Sequence, residues 1–198
     1  MRELEQFDSK IVAELTKFIS QVKNDDYVAA MELILHSQAN GGRLHVTGIG
    51  KPGHVANYAA SLFSSTGTPC YFLHGTEAVH GSCGQLREGD VVIIISNSGE
   101  TAEMIATAHA IIANGCKIIA VTGNADSTIA KMGDIHLLAA VQEEGDTLNR
   151  APRASILVQT LALQRLSILL QEKCDLTPQK YVKWHPGGSL GVLRKEEK

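Results

Sequence analysis

The first 39 residues show the hydrophobic spacing of two amphipathic helices. Apolar side chains recur every three or four positions, which places them on one helical stripe. The stripe consists of Leu4, Phe7, Ile11, Leu15, Phe18 and Val22. Residues 24–26, Asn-Asp-Asp, resemble a helix cap, and Asn-Gly-Gly at 40–42 resembles a helix stop. We therefore expect two helices across residues 3–39.

The pattern then changes to short apolar runs that are rich in valine and isoleucine. They cover residues 43–48, 69–73, 90–96, 116–123 and 135–140. Near-continuous apolar runs of this length are typical of parallel strands that are buried on both faces. The runs therefore predict five strands.

Helical spacing fills the gaps between these strands. One face of 52–66 carries Val55, Ala59, Leu62 and Phe63, and one face of 101–114 carries Ile105, Ala108 and Ile112. A short helix is expected after Ser127. A last helix, over 153–173, is apolar nearly all round, which indicates burial in a core or between subunits.

Alternating strands and helices predict an α/β protein. The expected fold is a doubly wound three-layer sandwich with a five-stranded parallel sheet, like flavodoxin. We expect a single domain over residues 1–198, with N-terminal helices at 3–39 and an α/β core at 40–193.

Composition narrows the possible functions. A net charge of -3 over 198 residues argues against the basic surface of a nucleic-acid-binding protein. None of the four cysteines is paired as C-x-x-C, which argues against a zinc ribbon or a redox motif. We find no signal peptide and no apolar run of the ~18 residues that a membrane span needs. We therefore expect a cytoplasmic protein without nucleic-acid or membrane partners.

Three strands end in polar, glycine-containing loops that lead into helices, at residues 47–53, 96–101 and 122–127. In such folds ligands bind beyond the carboxyl ends of the strands. A helix amino terminus offers unpaired N–H groups and a positive dipole end to an anion. The middle loop, S-N-S-G-E-T, adds three hydroxyls around a glycine, at Ser96, Ser98 and Thr101. A helix cap needs only one hydroxyl, so this density favours a phosphate-binding loop.

The first loop, T-G-I-G-K-P-G, is not a nucleotide motif. It lacks the G-x-x-x-x-G-K-[ST] pattern of a P-loop. A dinucleotide fold is disfavoured because Pro52 lies in the turn and no acidic residue ends the second strand. A phosphate on a small molecule fits better. Lys51 is then either an exposed surface lysine or a cation of this phosphate site.

Further candidate chemistry lies in three other segments. His74 and His80 occur in H-G-T-E-A-V-H-G, where with a nearby glutamate they could bind zinc opportunistically or simply bond to backbone. Glu143 and Glu144 follow the fifth strand. His185 lies in W-H-P-G-G-S-L-G, whose tryptophan and proline indicate an ordered loop.

Six motifs together resemble the sugar isomerase (SIS) domain. They are G-I-G-K-P-G-H, S-T-G-T-P, H-G-T-E-A-V-H-G, S-N-S-G-E-T-A-E, V-T-G-N and H-P-G-G-S-L-G, in order between about residues 40 and 193. Within this family they are most similar to the arabinose 5-phosphate isomerases. The resemblance implies interconversion of D-ribulose 5-phosphate and D-arabinose 5-phosphate, which feeds synthesis of the Kdo sugar of lipopolysaccharide or capsule. It also implies a homotetramer, no required cofactor and inhibition by zinc-like metals.

The resemblance also implies roles for individual residues. The catalytic set is Lys51, Glu103, Glu144 and His185. The substrate-binding set is Gly50, Gly67, Thr68, His74, His80, Ser96, Asn97, Ser98, Glu100 and Thr101, and His74 is the candidate for inhibitory zinc. Longer family members continue into a pair of CBS modules, whereas by this resemblance we expect a stand-alone catalytic domain. The chain also has Ser82-Cys83 and Arg153-Ala154-Ser155 where the family usually has other residues.

Aldose–ketose isomerisation needs a base near carbon, an acid near oxygen and stabilisation of an enediol oxyanion. We hypothesise that Glu103 or Glu144 is the base, that His185 handles oxygen protonation or ring opening, and that Lys51 stabilises charge. Glu103 is expected to point at the sugar, whereas Glu100 would cap a helix or bridge subunits. Two alternatives stay open: an isomerase of another sugar phosphate, such as a heptose phosphate, and a phosphosugar-sensing module.

Overall fold

A computed structural model describes residues 1–198 and contains a five-stranded sheet in the order β2-β1-β3-β4-β5. The strands are β1 (Leu44–Gly48), β2 (Cys70–His74), β3 (Val91–Ser96), β4 (Lys117–Thr122) and β5 (Ile135–Leu138). Every neighbouring pair is parallel. The predicted α/β fold with its five-stranded parallel sheet is confirmed.

Seven α-helices surround the sheet. They are α1 (Arg2–Gln21), α2 (Asn24–Ala39), α3 (Lys51–Ser65), α4 (Ala102–Ala113), α5 (Thr128–Met132), α6 (Ala154–Lys173) and α7 (Pro178–Trp184). The two N-terminal helices begin and end within two residues of the predicted limits. Pro52 occupies the first turn of α3, where its missing N–H costs nothing.

The sheet has a separate hydrophobic core on each face. Alternate residues of β3 divide between the faces: Val91, Ile93 and Ile95 pack with α2, α3 and α6, whereas Val92 and Ile94 pack with α4 and α5. All six residues of β3 are buried because helices cover both of its faces. β3 is the central strand, and its carboxyl end therefore opens in the middle of the molecule.

Two packing expectations are wrong. The edge strands β2 and β5 are not buried on both faces, since Tyr71 is 49% and Leu138 is 41% exposed. On α4 the predicted stripe is displaced: Ala108 is buried as expected, but Ile112 is 47% exposed and Met104 is buried in its place. The stripe was misplaced because α4 is apolar over most of its circumference, so spacing alone could not choose the buried face.

Helix α6 is only half-buried, although its sequence is apolar nearly all round. Val158, Leu166 and Leu170 face the core, whereas Leu157 and Ile168 are 42% and 57% exposed. Contrary to the expectation from sequence, α6 is long and apolar enough to cross a membrane by length and composition alone. The core helix of a soluble protein passes the same test, so this is weak evidence for a span.

Candidate active site

The amino terminus of α4 lies directly beyond the central strand β3. It is open, in the sense that its first N–H groups have no acceptor within the chain. Thr101 is the N-cap residue, but its side chain makes no capping hydrogen bond. The N–H groups of the first turn, on Ala102, Glu103 and Met104, donate to no acceptor in the chain. Such groups at a helix start normally find a cap, water or ligand. This terminus is therefore free to bind an anion.

Two serines shape the loop that leads to this open terminus. The Ser96 hydroxyl oxygen accepts a hydrogen bond from the N–H of Gly99 at 3.2 Å, and that of Ser98 accepts one from Glu100 at 3.2 Å. Ser96 is buried and Ser98 is exposed. The loop is thus curled around its own hydroxyl oxygens, and the two O–H hydrogens remain available to a ligand.

The amino terminus of α5 follows a loop of similar residues, but its first N–H groups are all hydrogen-bonded within the chain. The N–H and hydroxyl of Thr128 donate to the two carboxylate oxygens of Glu100, at 2.7 and 2.8 Å. The N–H of Ile129 donates to the Gly99 carbonyl at 3.1 Å, and that of Ala130 donates to the Ser127 hydroxyl. The loop at 122–127 therefore holds the 96–101 loop in place and does not form a second anion site.

Glu100 caps α5, as one of its two predicted roles requires. The hydrogen bonds from the Thr128 N–H and hydroxyl lower the pKa of the Glu100 carboxyl, so the group stays charged at neutral pH. Both of its oxygens are engaged with α5. The structure therefore gives the Glu100 carboxylate the capping role, and its contact with substrate stays a prediction.

Gly99 is the contact point between the two loops. Its φ is +68°, and a Cβ at this position would overlap the Ser127 side chain. Only glycine accepts both the positive φ and the close approach. Asn97 adds a backbone bond, because its carbonyl accepts from the N–H of Gly123 at 2.9 Å.

The amino terminus of α3 presents Lys51 beyond the end of β1. Gly50, with φ +65°, makes the turn, and Lys51 is the exposed first residue of the helix. A cavity of about 350 Å³ lies beyond the ends of β1 and β2, lined by glycines of the 48–53 loop and by His54 and His74. A second cavity of about 350 Å³ is lined by Lys51, His54, Tyr58 and Pro152.

His54 is the site residue that the sequence analysis did not single out. It is exposed and lines both cavities that flank the start of α3. The available signal was its position three residues after Lys51, which places both side chains on one helical face.

The two histidines after β2 occupy different environments. His74 lines the cavity, and its Nδ1 lies 3.0 Å from the Thr76 hydroxyl and accepts from the Glu77 N–H at 3.4 Å. His80 is exposed at the end of a 3₁₀ turn. No three His, Cys, Asp or Glu side chains come together closely enough to hold a metal ion. The zinc expectation at His74 thus finds no second and third ligand.

Glu144 is a buried carboxylate that caps α6. Its Oε2 accepts from the N–H groups of Arg153 and Ser155, at 2.6 and 3.1 Å, while Oε1 accepts no hydrogen bond within the chain. The Arg153 side chain pairs with Asp146, which leaves it turned toward a carboxylate and not a phosphate. Glu103, by contrast, is exposed and has no hydrogen-bond partner in the chain, beside the open N–H groups of α4.

His185, Gly67 and Thr68 lie at the other end of α3. This helix has 15 residues and runs from Lys51 back toward the amino ends of the strands, a length of about 22 Å. The ring of Trp184 packs beside Gly67, and Thr68 is buried with its hydroxyl 3.7 Å from the Cys174 sulfur. Within one chain these residues do not join Lys51, so they could share a site with it only through another copy.

The His185 ring is held by its own helix. It stacks on Tyr181 with ring centroids 3.9 Å apart, and Nδ1 lies 2.8 Å from the Tyr181 carbonyl oxygen, which requires a proton on Nδ1. Its Nε2 makes no hydrogen bond within the chain and remains available. The structure thus places Lys51 beyond the carboxyl end of β1, places Ser96, Ser98 and Glu103 at or beyond that of its neighbour β3, and places His185 near the opposite end of α3.

Comparison with known proteins reveals clear relatives. An arabinose 5-phosphate isomerase of Pseudomonas aeruginosa is 42% identical over 84% of this chain and 50% of its own length. The arabinose 5-phosphate isomerase of Escherichia coli (strain K12) is 34% identical over 96% of this chain and 56% of its own length. The chain therefore spans about half the length of the curated relatives that it matches.

A solved structure from Escherichia coli CFT073, in complex with arabinose 5-phosphate, superposes with a TM-score of 0.86 at 33% identity, covering 92% of this chain and 95% of that chain. The model of the SIS domain family matches residues 37–169. On this match, which covers well over half of its residues, the chain belongs to the SIS domain family.

Proposed function

We propose that the chain is an aldose–ketose isomerase that interconverts D-ribulose 5-phosphate and D-arabinose 5-phosphate through an enediol. The observation that carries the proposal is the open amino terminus of α4, next to the closed terminus of α5. Unpaired N–H groups at a helix start, beside a free carboxylate, fit a small phosphorylated molecule. Relatives named arabinose 5-phosphate isomerase, and a structural neighbour in complex with that sugar phosphate, support the choice of sugar.

The phosphate would bind at the start of α4. The N–H groups of Ala102 to Met104 and the hydroxyls of Ser96 and Ser98 supply donors, and the helix dipole adds attraction. Anchoring the phosphate fixes the distance to the reacting carbons and supplies orientation. Glu103 lies on the same turn, so its carboxylate would accept hydrogen bonds from sugar hydroxyls and not approach the phosphate.

We propose Glu144, and not Glu103, as the base because of the hydrogen bonds that its carboxylate makes. Two backbone N–H groups fix one of its oxygens and leave the other free, which is preorganisation that exposed Glu103 lacks. The base would remove the proton from carbon 2 of the aldose and return it to carbon 1. The hydroxyl proton on oxygen 2 would pass to oxygen 1, while Lys51 stabilises the oxyanion of the enediol.

A second copy of the chain would supply His185. Within one chain the imidazole lies at the far end of α3, and its Nε2 has no partner. Helix α7 buries none of its residues, although Trp184 is among its apolar side chains. Exposed Leu157 and Ile168 on α6 add apolar surface for assembly. These observations support the homotetramer that the family resemblance implies.

The setting of this reaction is also a proposal. We place the enzyme in the cytoplasm, without a required cofactor, where its product would feed Kdo synthesis for lipopolysaccharide or capsule. The chemistry above needs only side chains and the bound phosphate, because the proton that leaves one carbon returns to its neighbour.

The test is to incubate the protein with arabinose 5-phosphate and measure ribulose 5-phosphate, with His185→Asn as the control. Glu103→Gln and Glu144→Gln then identify the base, since losing a direct proton-transfer group should cost at least ~10²-fold in kcat. Five-, six- and seven-carbon sugar phosphates should be compared. Turnover of a heptose phosphate alone, or binding without turnover, would replace the proposal by another isomerase or a sensor.

A further inference from the structure

Helix α1 buries a carboxylate that has no cationic partner. Only Glu14 and Phe18 are buried on this helix of 20 residues. The Glu14 side chain forms no salt bridge. Its Oε1 accepts from the N–H of Glu143 and its Oε2 from the N–H of Gln142, both at 3.0 Å. A buried carboxylate requires hydrogen-bond donors, and here both donors are backbone N–H groups of residues 142 and 143. Glu14 therefore fixes this stretch of backbone.

The backbone that Glu14 holds leads directly into Glu144. The next residue after Glu143 is the carboxylate that caps α6, so two buried carboxylates act in series along one loop. Gly145, with φ +102°, packs so closely against Phe7 and Ile11 of α1 that a Cβ would come within 2.8 Å of the Phe7 ring. Helix α1 therefore packs closely against this loop and also accepts hydrogen bonds from it.

Helix α1 also contacts this loop at the protein surface. The same loop already carries an ion pair with α1, between Lys10 and Glu143 at 2.7 Å, but both side chains are nearly half exposed. Such a pair contributes little to stability. Both contacts reach Glu143, the residue before Glu144, but only the buried one holds its backbone.

We infer that Glu14 is a positioning residue that acts through Glu144, and that α1 is thereby part of the catalytic unit. This inference rests on the proposed function of Glu144. Without Glu14 the 142–144 backbone loosens, and Glu144 no longer presents its free oxygen at a fixed place. Misplacement of a reacting group by about 1 Å can cost ~10²-fold in rate.

The test compares Glu14→Gln with Lys10→Ala in the full chain. The glutamine keeps the volume but faces one backbone N–H with its own NH₂ group, so one hydrogen bond is lost. We expect Glu14→Gln to lower kcat about 10- to 100-fold with KM changed less than about threefold. Lys10→Ala should leave both constants within about twofold. Unchanged kcat in Glu14→Gln would overturn the inference.

A double-mutant cycle asks whether the effect passes through Glu144. If it does, kcat of the Glu14→Gln/Glu144→Gln protein should equal that of Glu144→Gln within about twofold. If the loss of kcat in the double variant instead equals the product of the two single losses, Glu14 acts independently of Glu144 and the inference is overturned.

Amide hydrogen exchange provides a readout that does not depend on activity. Glu14 accepts no hydrogen bond from Arg153 or Ser155, whose N–H groups bind Glu144. Faster exchange at these two amides in Glu14→Gln, with no change in Lys10→Ala, supports positioning. Faster exchange confined to residues 142 and 143 overturns it. A wild-type protein that turns over no sugar phosphate would remove the proposed function, and the exchange result would still decide whether Glu14 positions Glu144.

Discussion

The amino termini of α4 and α5 follow similar loops but differ in whether their first N–H groups are hydrogen-bonded within the chain. Each follows a strand of the same sheet through a loop that contains serine, asparagine and glycine. At α5 every first-turn N–H has an acceptor within the chain, and one acceptor is the carboxylate of Glu100. At α4 none has one. A helix start becomes a binding site only when the chain leaves it uncapped, and the capped one stabilises its neighbour.

The largest effect is expected from a variant that blocks the unpaired N–H groups at the start of α4. In Ser98→Asp, a carboxylate in the loop before the unpaired N–H groups would compete with the substrate phosphate and repel it. We expect KM for arabinose 5-phosphate to rise about 100-fold or more, since both the site and its charge preference are lost. The thermal midpoint should rise, because a negative charge near a helix amino terminus interacts favourably with the helix dipole. Steady-state kinetics and a melting curve measure both, and Ser98→Asn, which is uncharged, should change KM far less.

Inorganic phosphate should distinguish the two termini directly. At 100 times its Kd it should stabilise the wild-type protein by about 2.7 kcal/mol. Ser98→Asp should show no such stabilisation in the same denaturant titration. Equal stabilisation of both proteins would place the anion elsewhere.

Weakening the hydrogen bonds at the start of α5 should have a smaller effect on substrate binding. Glu100→Gln weakens the hold of Thr128 on the 96–101 loop, and we expect KM to rise about tenfold with a lower thermal midpoint, because the donors around the phosphate are less well fixed. Thr128→Ser retains both donors and serves as the matched control. A Glu100→Gln protein with wild-type KM would mean that the α4 loop is rigid without α5.

The smallest effect is a pH dependence of the same contact. The folded state lowers the pKa of Glu100 from its ordinary value of 4.5, because Thr128 hydrogen-bonds to the charged carboxylate. Its contribution to stability is therefore complete above about pH 4.5 and is lost as the pH falls through the lower, folded-state value. The difference in thermal midpoint between wild type and Glu100→Gln should be constant from pH 6 to 8, roughly, and shrink below about pH 4.5. A difference that grows in acid would contradict the assignment.

The parts of this molecule that sequence predicts well are those encoded locally. Hydrophobic spacing placed all five strands and most helices, because each run is bounded by its own polar and glycine residues. The density of hydroxyls in the 96–101 loop singled out Ser96 and Ser98 as candidate phosphate ligands. It could not tell the α4 loop from the α5 loop, since the difference is a contact between Glu100 and Thr128, 28 residues apart.

Contacts over longer separations were beyond sequence reasoning for the same reason. The loop that holds Glu144 is fixed by Glu14, at a separation of 129 residues for the Glu143 contact. His185 was grouped with Lys51 by motif, but the chain path after α6 returns to the end of α3 near Gly67. The resemblance supplied the residue types, and only the fold supplied their distances.

The length of α3 bears on how activity would depend on the concentration of the protein. If the His185 imidazole must come from another copy of the chain, dilution should separate the copies and abolish turnover while every chain stays folded. A cell that produces a mixture of intact and imidazole-deficient chains would then lose activity out of proportion to the fraction of defective ones, because each faulty chain also disables the neighbour that it serves.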